Sequence, residues 1–343
     1  MNTPHSHSRS FPAPKNAVLY IASLALLLAT DARADDAGLF ATTNQNPFIQ
    51  IYSLPSPAEY AFPSRGDWTW RLAFEFANNS ILEEHPAGEQ VVLDGESYRT
   101  TLTLAYGLGP RLKLGIDIPL VAHSGGFLDG FIKDWHSLWG LSNERREPFE
   151  NNALEFSYTR ADGEHFALTE RGRGIGDIRL SADWQARRAG PGERSLLIRT
   201  GIKWPTGSAE NLRGSGSTDV SLQLLSTDPV TLSRWNMTLS WMLGGLWLGE
   251  SDVLDDIRRD TVAVASVGIA RPVWRRLSAR LQLDGHSSFY DATLEPIGAR
   301  SMQLTFGGSL TLRSGRLDVA VVETLFTDTV PDFGVHLAWR RGL

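Results

Sequence analysis

The segment DGHSSFYD, residues 284–291, carries the residue types of a hydrolase. Asp284 and His286 share one face of a predicted strand, and Ser287 and Ser288 follow directly. A serine activated by a neighbouring histidine is the nucleophile of many esterases and lipases. Sequence neighbours alone guarantee neither the hydrogen bond between them nor an oxyanion site. Two interpretations therefore remain. His286 is either part of a hydrolase site or one of the polar side chains along one face of a strand.

The other motifs indicate neither a cofactor nor a metal. The chain has no cysteine, which excludes disulfides and thiolate ligands. GRGIGD, residues 172–177, does not match the spacing of a phosphate-binding loop and is interpreted as a turn into a strand. The carboxylates of residues 250–260 form either a solvated acidic loop or a calcium site, since calcium needs several oxygen ligands. We predict no cofactor and no metal.

Apolar and polar side chains alternate along most of the chain. In SRWNMTLSWMLGGLWLG, residues 233–249, Trp235, Trp241 and Trp247 share one parity, and Thr238 and Ser240 share the other. A period of two is typical of a β-strand with one apolar and one polar face. Twelve such segments occur, mostly of 10 or more residues, which is longer than the strands of soluble sheets. Only the segment 261–271 leaves its inward face ambiguous.

The links between these segments alternate between short and long. The long link 79–97 is followed by a tight turn at Gly109-Pro110, and the very long link 122–174 by a short one at 188–193. Outer-membrane barrels have this pattern, whereas a soluble β-sandwich or lipocalin-like protein has no need of it. We predict an all-β fold: a transmembrane, up-and-down antiparallel β-barrel of about 12 strands, with short periplasmic turns and long extracellular loops. Fourteen strands are the alternative, if residues 153–171 join the wall.

Most tryptophans lie at strand ends, although Trp241 lies in mid-strand. Indole rings favour the membrane interface, where the ring is in an apolar layer and the N–H stays wet. The predicted aromatic girdles consist of Trp68, Trp70, Trp184, Trp235 and Trp339 on the periplasmic side and Trp204 and Trp247 on the outer side.

In a barrel within lipid the polar strand faces turn inward. Charges of both signs occur there, which predicts no strong ion preference. The predicted pore-lining residues are Arg71, Glu75, Arg99, Lys113, Asp117, Arg179, Asp183, Arg199, Lys203, Arg280, Asp284, His286 and His336.

The N-terminus indicates export. A basic start precedes the apolar stretch 17–29, and Ala32-Arg33-Ala34 supplies a small-x-small cleavage pattern. We predict a signal peptide over residues 1–34 and a location in the outer membrane of a Gram-negative bacterium.

Two regions follow the predicted signal peptide. Residues 35–66 are rich in proline, which resists a place in mid-sheet, and are either luminal or a periplasmic tail. Residues 67–343 are the predicted barrel, with residues 122–174 as its large extracellular loop.

The formal net charge of −6 makes the chain a poor candidate for binding nucleic acid. The predicted partners are outer-membrane lipid, the barrel assembly machinery during biogenesis and a small solute of unknown identity. Outer-membrane barrels usually end on an aromatic residue, whereas here residues 340–343 follow Trp339.

Within the large loop, residues 123–147 change from a spacing of two to one of three or four. We predict an amphipathic helix that lies in the outer interface, folds over the mouth as a lid or packs on its own loop. Its apolar residues are Phe127, Leu128, Phe131, Ile132, Trp135, Leu138 and Trp139.

Four blocks carry a resemblance: NPF at 46–48, LPSP at 54–57, GGFLDGFIKDWHSLWGLSNERRE at 125–147 and GRGIGDIRL at 172–180. Together they resemble a family of uncharacterised outer-membrane proteins of Gram-negative bacteria, described only as a conserved domain of unknown function. The resemblance spans essentially the whole mature chain, and GGFLDGFI is its most specific part. It implies a barrel in the outer membrane and brings no substrate, cofactor or catalytic residue.

Three functions are consistent with these features. The first is a channel or uptake barrel that passes small polar or amphiphilic solutes and is not an enzyme. The second is an outer-membrane lipid hydrolase with a Ser/His site at the rim. The third is a closed structural or adhesive barrel whose outer loops bind partners.

Overall fold

The computed structural model describes residues 38–58, 62–126, 153–187, 192–325 and 329–342. The predicted signal peptide and the predicted loop helix, from Phe127 to Trp139, lie outside the described residues. No helix within the described residues is long and apolar enough to cross a membrane.

The fold is a single antiparallel sheet that closes on itself. Its strands in chain order are β1 (Trp68–Glu84), β2 (Gln90–Gly107), β3 (Leu112–Ser124), β4 (Glu155–Thr159), β5 (His165–Leu168), β6 (Gly172–Ile175), β7 (Ile178–Arg187), β8 (Leu196–Trp204), β9 (Asp219–Asp228), β10 (Thr238–Trp247), β11 (Thr261–Trp274), β12 (Leu277–His286), β13 (Ser301–Leu312), β14 (Gly315–Thr324) and β15 (Phe333–Gly342).

Twelve of these strands form the wall of a barrel: β1 to β3 and β7 to β15. Each pairs with its neighbours in chain order, and β1 pairs with both β2 and β15. Closure leaves no edge in the wall, so the strands satisfy one another's backbone hydrogen bonds. The prediction of an up-and-down antiparallel barrel of about 12 strands is confirmed.

The wall is apolar outside and polar inside. The outward side chains of Leu243 and Leu180 are 54% and 48% exposed, whereas the inward Lys113 and Lys203 are 2% and 0% exposed. A water-soluble sheet would bury the leucines and expose the lysines, and a barrel in lipid does the reverse. The burial pattern is therefore that of a membrane-spanning wall.

Strand β11 resolves the ambiguous segment 261–271. Val262 and Val264 face inward and are buried, and Thr261 and Ala263 face outward. These inward valines belong to an apolar cluster that also contains Phe48 from the N-terminal segment. The inner face of β11 is therefore apolar because it packs on protein instead of facing water.

The link 79–97, expected as a loop, is mostly strand. β1 continues to Glu84 and β2 begins at Gln90, so this hairpin extends beyond the rest of the wall. β4 pairs with residues 90–94 of that extension, and β5 pairs with β4. Residues 153–171 thus stand on the long-loop end of the barrel and do not add two strands to the wall.

The predicted girdle tryptophans lie at strand ends on the outward side, except that Trp235 lies in the turn just before β10. Trp68, Trp184 and Trp235 are about half exposed at the end with short turns, and Trp204 and Trp247 are about half exposed at the other. Trp70 and Trp339 are partly exposed. Trp274 ends β11 at the short-turn end and is 71% exposed. It was not among the predicted girdle residues, because the predicted strand ended at residue 271.

A charge placed on the lipid-facing surface tests the orientation of the wall. We expect Leu243→Arg, in mid-strand, to lower the free energy of unfolding in phospholipid vesicles by about 2–4 kcal/mol, because the guanidinium enters the hydrocarbon layer. Val220→Arg, near the end of β9, is the matched control and costs about 0–1 kcal/mol. Urea titration followed by tryptophan fluorescence measures both. Equal small losses would contradict the inside-out wall.

Candidate functional site: the filled lumen

The lumen contains a segment of the protein's own chain. Residues 38–58, here called the plug segment, precede β1 and lie inside the barrel, and most of them are buried. The segment follows the wall along β12, turns at the short helix α1 (Pro47–Gln50) and returns along β2, β7 and β8. Both of its arms run between the short-turn end and the long-loop end.

Local sequence fixes the turn between the two arms. The Asn44 side chain accepts a hydrogen bond from the Asn46 amide at 2.9 Å, and the Asn46 side chain accepts one from the Phe48 amide at 3.0 Å. Pro47 occupies the first turn of α1, where its missing N–H and fixed φ are no cost. The NPF block is thus a capped turn that reverses the chain.

The ascending arm, residues 39–46, bonds mainly to polar side chains of β1 and β12. The contacts are Phe40 N to Gln282 Oε1 at 2.6 Å, Thr42 Oγ1 to Asp284 Oδ2 at 3.2 Å, Thr43 N to Glu75 Oε1 at 3.0 Å and Asn44 Nδ2 to His286 Nε2 at 2.9 Å. Leu39 lies over Gly268 of β11, where an added Cβ would come within 2.7 Å of the leucine side chain. The absence of a side chain at Gly268 therefore leaves space for Leu39 of the ascending arm.

The descending arm, residues 51–58, is held by three arginines that donate to it. Arg99 Nη2 donates to Ser53 Oγ at 3.0 Å, Arg179 Nε to Ser53 O at 3.1 Å and Arg199 Nη1 to Ser56 O at 3.0 Å. An extended, proline-rich segment has no strand partner for its carbonyl groups, which must be satisfied once buried. Guanidinium groups meet this need with several charge-assisted hydrogen bonds each.

Carboxylates on the neighbouring strands pair with the buried cations. Asp183 bonds to Arg199 at 2.8 Å and Lys113 at 3.2 Å, and Lys203 lies within 2.9 Å of both Asp177 and Asp219. Buried charges are tolerated only when they are paired and hydrogen-bonded in this way. This side of the lumen is accordingly close to electroneutral.

Asp177 also fixes the loop between β8 and β9. Its carboxylate accepts the amides of Gly207 and Ser215 at 2.9 and 3.1 Å. An added Cβ at Gly214 would lie 2.2 Å from the same carboxylate, so no side chain fits there. The loop is thereby drawn inward across the long-loop end.

Apolar side chains close the long-loop end. The rings of Tyr52 and Phe289 stack at 5.0 Å, and the Tyr290 hydroxyl donates to the Phe48 carbonyl at 2.8 Å. Phe156, from the hairpin of β4 and β5, belongs to the same buried cluster. The turn of that hairpin contacts the β10–β11 loop through an ion pair between Arg160 and Asp256.

The space left between plug segment and wall is small. One cavity of about 30 Å³ lies between the two arms and the wall, lined by Arg71, Glu75, Arg99 and Arg179 among others. A second, of about 20 Å³, lies beside Lys113 and Asp183. Volumes of this size hold one or two water molecules. Among the described residues the lumen is therefore filled.

All thirteen predicted pore-lining residues lie on the inner side of the wall. Eleven are buried, and Asp117 and Asp284 are half-buried. They do not surround an open bore, because the plug segment occupies the space that an open bore would take. The structure brings Arg99, Arg179 and Arg199 together along the descending arm, and Glu75, Asp284 and His286 along the ascending arm. That any of them lines a conducting path remains a prediction.

The residues of the hydrolase alternative do not come together. His286 Nδ1 donates to the Ser287 carbonyl at 2.8 Å, and its Nε2 accepts from the Asn44 side-chain amide, Nδ2, at 2.9 Å. The Ser287 hydroxyl accepts instead from the Ala263 amide at 3.0 Å. Within the described residues no hydrogen bond joins His286 to a serine hydroxyl, so the nucleophile–base pair is not formed.

In the acidic loop 250–260, ion pairs join Asp255 and Asp260 to Arg258, and Asp256 to Arg160. Asp255 accepts from the Ser251 amide and from Arg258 Nε, both at 2.8 Å. These two donors hold the pKa of Asp255 below its ordinary value. No cluster of three or more potential ligands for a metal occurs in the part of the chain that the structure describes.

Several residues that hold the plug segment were not predicted. Gln282 bonds to both the amide and the carbonyl of Phe40, and Gln223 Nε2 donates to Pro55 O. Both glutamines lie at inward-facing positions of their strands, and this alternation was the sequence signal that could have identified them. The predicted pore-lining residues were all acidic, basic or histidine side chains, so neutral amides were left out.

The wall and its contents define the chain as a β-barrel of the outer-membrane type with a plugged lumen. The fold resembles an outer-membrane channel from Pseudomonas putida F1, with 14% identity, a TM-score of 0.56, and coverage of 84% of this chain and 99% of that one. The toluene transporter of Pseudomonas putida overlaps more loosely, with 10% identity, a TM-score of 0.40, and coverage of 91% and 98%. Of these two similarities, the first is close enough to support the fold.

The family follows from the sequence itself. The model of the family described as Protein of unknown function (DUF3187) matches residues 17–343, so the chain belongs to this family. The resemblance inferred from the NPF, GGFLDGFI and GIGDIRL blocks is thereby confirmed. No curated protein matches the chain in sequence.

Removal of one plug-binding arginine tests how the descending arm is held. We expect Arg179→Met to cost about 1.5–3 kcal/mol of local stability, because the carbonyls of Tyr52 and Ser53 lose a charged donor. Hydrogen exchange of a peptide covering residues 44–58 should then be about tenfold faster or more. Arg173→Met, at an exposed position on β6, is the matched control. The same exchange rate in both variants would show that Arg179 does not anchor the plug segment.

Proposed function

We propose that this protein is an outer-membrane uptake channel for small polar or amphiphilic solutes, and that the plug segment rearranges to let them pass. The observation that carries the proposal is that the barrel consists of a closed wall and a separate plug segment inside it. The wall satisfies its own backbone hydrogen bonds, and the plug segment adds no strand to it. The plug segment can therefore move without opening the wall.

The contacts between the plug segment and the wall are non-covalent and can break and form again. It is held by hydrogen bonds from side chains to backbone and by packing, and the chain has no cysteine that could fix it covalently. Polar groups of the wall that lose plug contacts would meet water or a polar solute instead. A lumen with many polar side chains is thus suited to both a closed and an open state.

Location and export belong to the same proposal. The inside-out wall requires a lipid environment, and the fold resembles that of an outer-membrane channel. A signal peptide over residues 1–34 would deliver the chain to the periplasm of a Gram-negative bacterium, where the assembly machinery would insert it. The proposal includes no catalysis, because the hydrolase residues are engaged elsewhere.

A reversible covalent lock tests whether plug movement gates passage. Thr42 of the plug segment and Thr305 of β13 have hydroxyl oxygens 3.3 Å apart, so cysteines at these positions would place two thiols side by side. Since the chain has no other cysteine, the disulfide would be unique. We expect Thr42→Cys/Thr305→Cys to show discrete conductance in planar bilayers under reducing conditions and to lose most of it on oxidation.

Two controls define the outcome. Each single cysteine variant should conduct equally under both conditions. A variant lacking residues 39–57, checked for folding by its heat-dependent migration in gels, should conduct several-fold more than the wild type. If the folded deletion variant shows no conductance at all, the channel proposal is wrong and a closed structural barrel is favoured.

A further inference from the structure

The carboxylate of Asp284, on the inner face of β12, is held by neutral groups. Its Oδ2 accepts from Thr42 Oγ1, Gln303 Nε2 and Thr305 Oγ1 at 3.2, 3.3 and 3.4 Å. Its Oδ1 accepts from Gln282 Nε2 at 2.8 Å. All four donors are hydroxyl or carboxamide groups. Within the described residues no ion pair joins Asp284 to an arginine, a lysine or a histidine.

Carboxylates in other parts of the lumen lie beside positive charges. Asp183 is paired with Arg199, and Asp117 lines one cavity together with Arg99 and Arg179. An isolated charge is costly in a buried position, so a buried carboxylate without a cation has two options. It is either protonated or neutralised by an ion from solution.

A further cavity, of about 30 Å³, lies beside Asp284, between the two arms of the plug segment and strands β10 to β13. A volume of this size holds a water molecule or an ion of similar size. Ser266 and Gln303 also line the cavity, and Gln303 Oε1 has no hydrogen-bond partner among the described residues. In the described part of the chain, no lysine or arginine lines this cavity.

His286, which also lines the cavity, does not supply a positive charge. Its Nδ1 donates to the Ser287 carbonyl, and its Nε2 accepts from Asn44 Nδ2. The orientation of the Asn44 carboxamide is fixed, because its Oδ1 accepts from the Asn46 amide. An imidazole that donates through one nitrogen and accepts through the other is neutral.

We propose that Asp284 and the neutral oxygens around it form a binding site for one monovalent cation, sodium. Carboxylate, hydroxyl and carboxamide oxygens are the ligands that hard cations prefer. One carboxylate balances one positive charge, whereas calcium sites contain several acidic ligands, and the described residues hold no cluster of three acidic, histidine or cysteine ligands. The candidate ligands are Asp284, Thr42, Ser266, Gln303 and Thr305.

The ion lies at the contact between the plug segment and the wall. Thr42 belongs to the ascending arm, whereas Asp284 and Gln303 belong to β12 and β13. A ligand that binds only the plugged lumen stabilises the plugged lumen by mass action. The site goes beyond the proposed function, because it is formed in the plugged barrel whether or not the barrel conducts.

Hydrogen exchange of the ascending arm measures whether sodium stabilises the plugged lumen. In the detergent-purified wild type, a peptide covering residues 38–46 should exchange more slowly in sodium chloride than in N-methyl-D-glucamine chloride of equal ionic strength. With sodium at about ten times its dissociation constant, the difference should be about tenfold. The organic cation is too large for a cavity of about 30 Å³, so a difference reports occupancy of the site and not screening by salt.

The ²³Na resonance measures binding directly. The wild type should broaden this resonance saturably, because a bound ion tumbles with the protein. Asp284→Asn keeps the size of the side chain and removes its charge, so it should lose the broadening and exchange equally in both salts. Gln303→Met removes the carboxamide oxygen at similar volume and should bind sodium about tenfold more weakly. Either variant tests the site if the other fails to fold.

Asp117→Asn is the matched control. Asp117 is likewise a half-buried carboxylate of the lumen, but it lines a cavity that also contains arginines. Its ratio of exchange rates between the two salts should equal that of the wild type. Equal exchange of the folded wild type in both salts, without ²³Na broadening, would overturn the site in favour of a protonated Asp284. A full sodium response in Asp284→Asn, or an equal loss in Asp117→Asn, would also overturn it.

Discussion

Hydrogen bonds from wall arginines to plug carbonyls are the interactions on which the arrangement of the lumen depends. A closed wall has no backbone group to offer an interior segment, because its strands satisfy one another. The descending arm, with Pro55 and Pro57, cannot form strand pairs either. Arg99, Arg179 and Arg199 resolve both constraints, since they reach inward from the wall and supply donors to an extended chain. Burial of three guanidinium groups in turn requires the carboxylates around them.

The two sides of the lumen are consequently unlike. Along β3, β7, β8 and β9 buried cations and carboxylates form ion pairs beside the descending arm. Along β1 and β12 the ascending arm is held by neutral and acidic side chains.

The periodicity of the sequence was sufficient to predict the strands of the wall, but it could not predict the plug segment inside them. Alternation at positions such as Leu239, Trp241 and Leu243 set the strand number and the outward face, because lipid imposes one polarity on every span. The plug segment has no period, so its place could not be derived, although the prolines excluded mid-sheet positions. Val262 and Val264 were ambiguous for the same reason: they contact the plug segment's cluster, and a local pattern cannot report a distant partner. The extended hairpin at 79–97 was missed because its residues 79 and 80 are polar and resemble a loop.

The seam between β1 and β15 has a consequence for the order of folding. It pairs Thr69 with Gly342, so the contact that closes the ring joins the two ends of the barrel sequence. Contacts this distant in sequence form late, after the strands between them have assembled. The segment just before β1 must already lie within the curved sheet when that seam forms, or enter afterwards through an end of the closed barrel. The barrel thus encloses its own leading segment as it matures, and any delay in ring closure would leave that segment exposed to proteases.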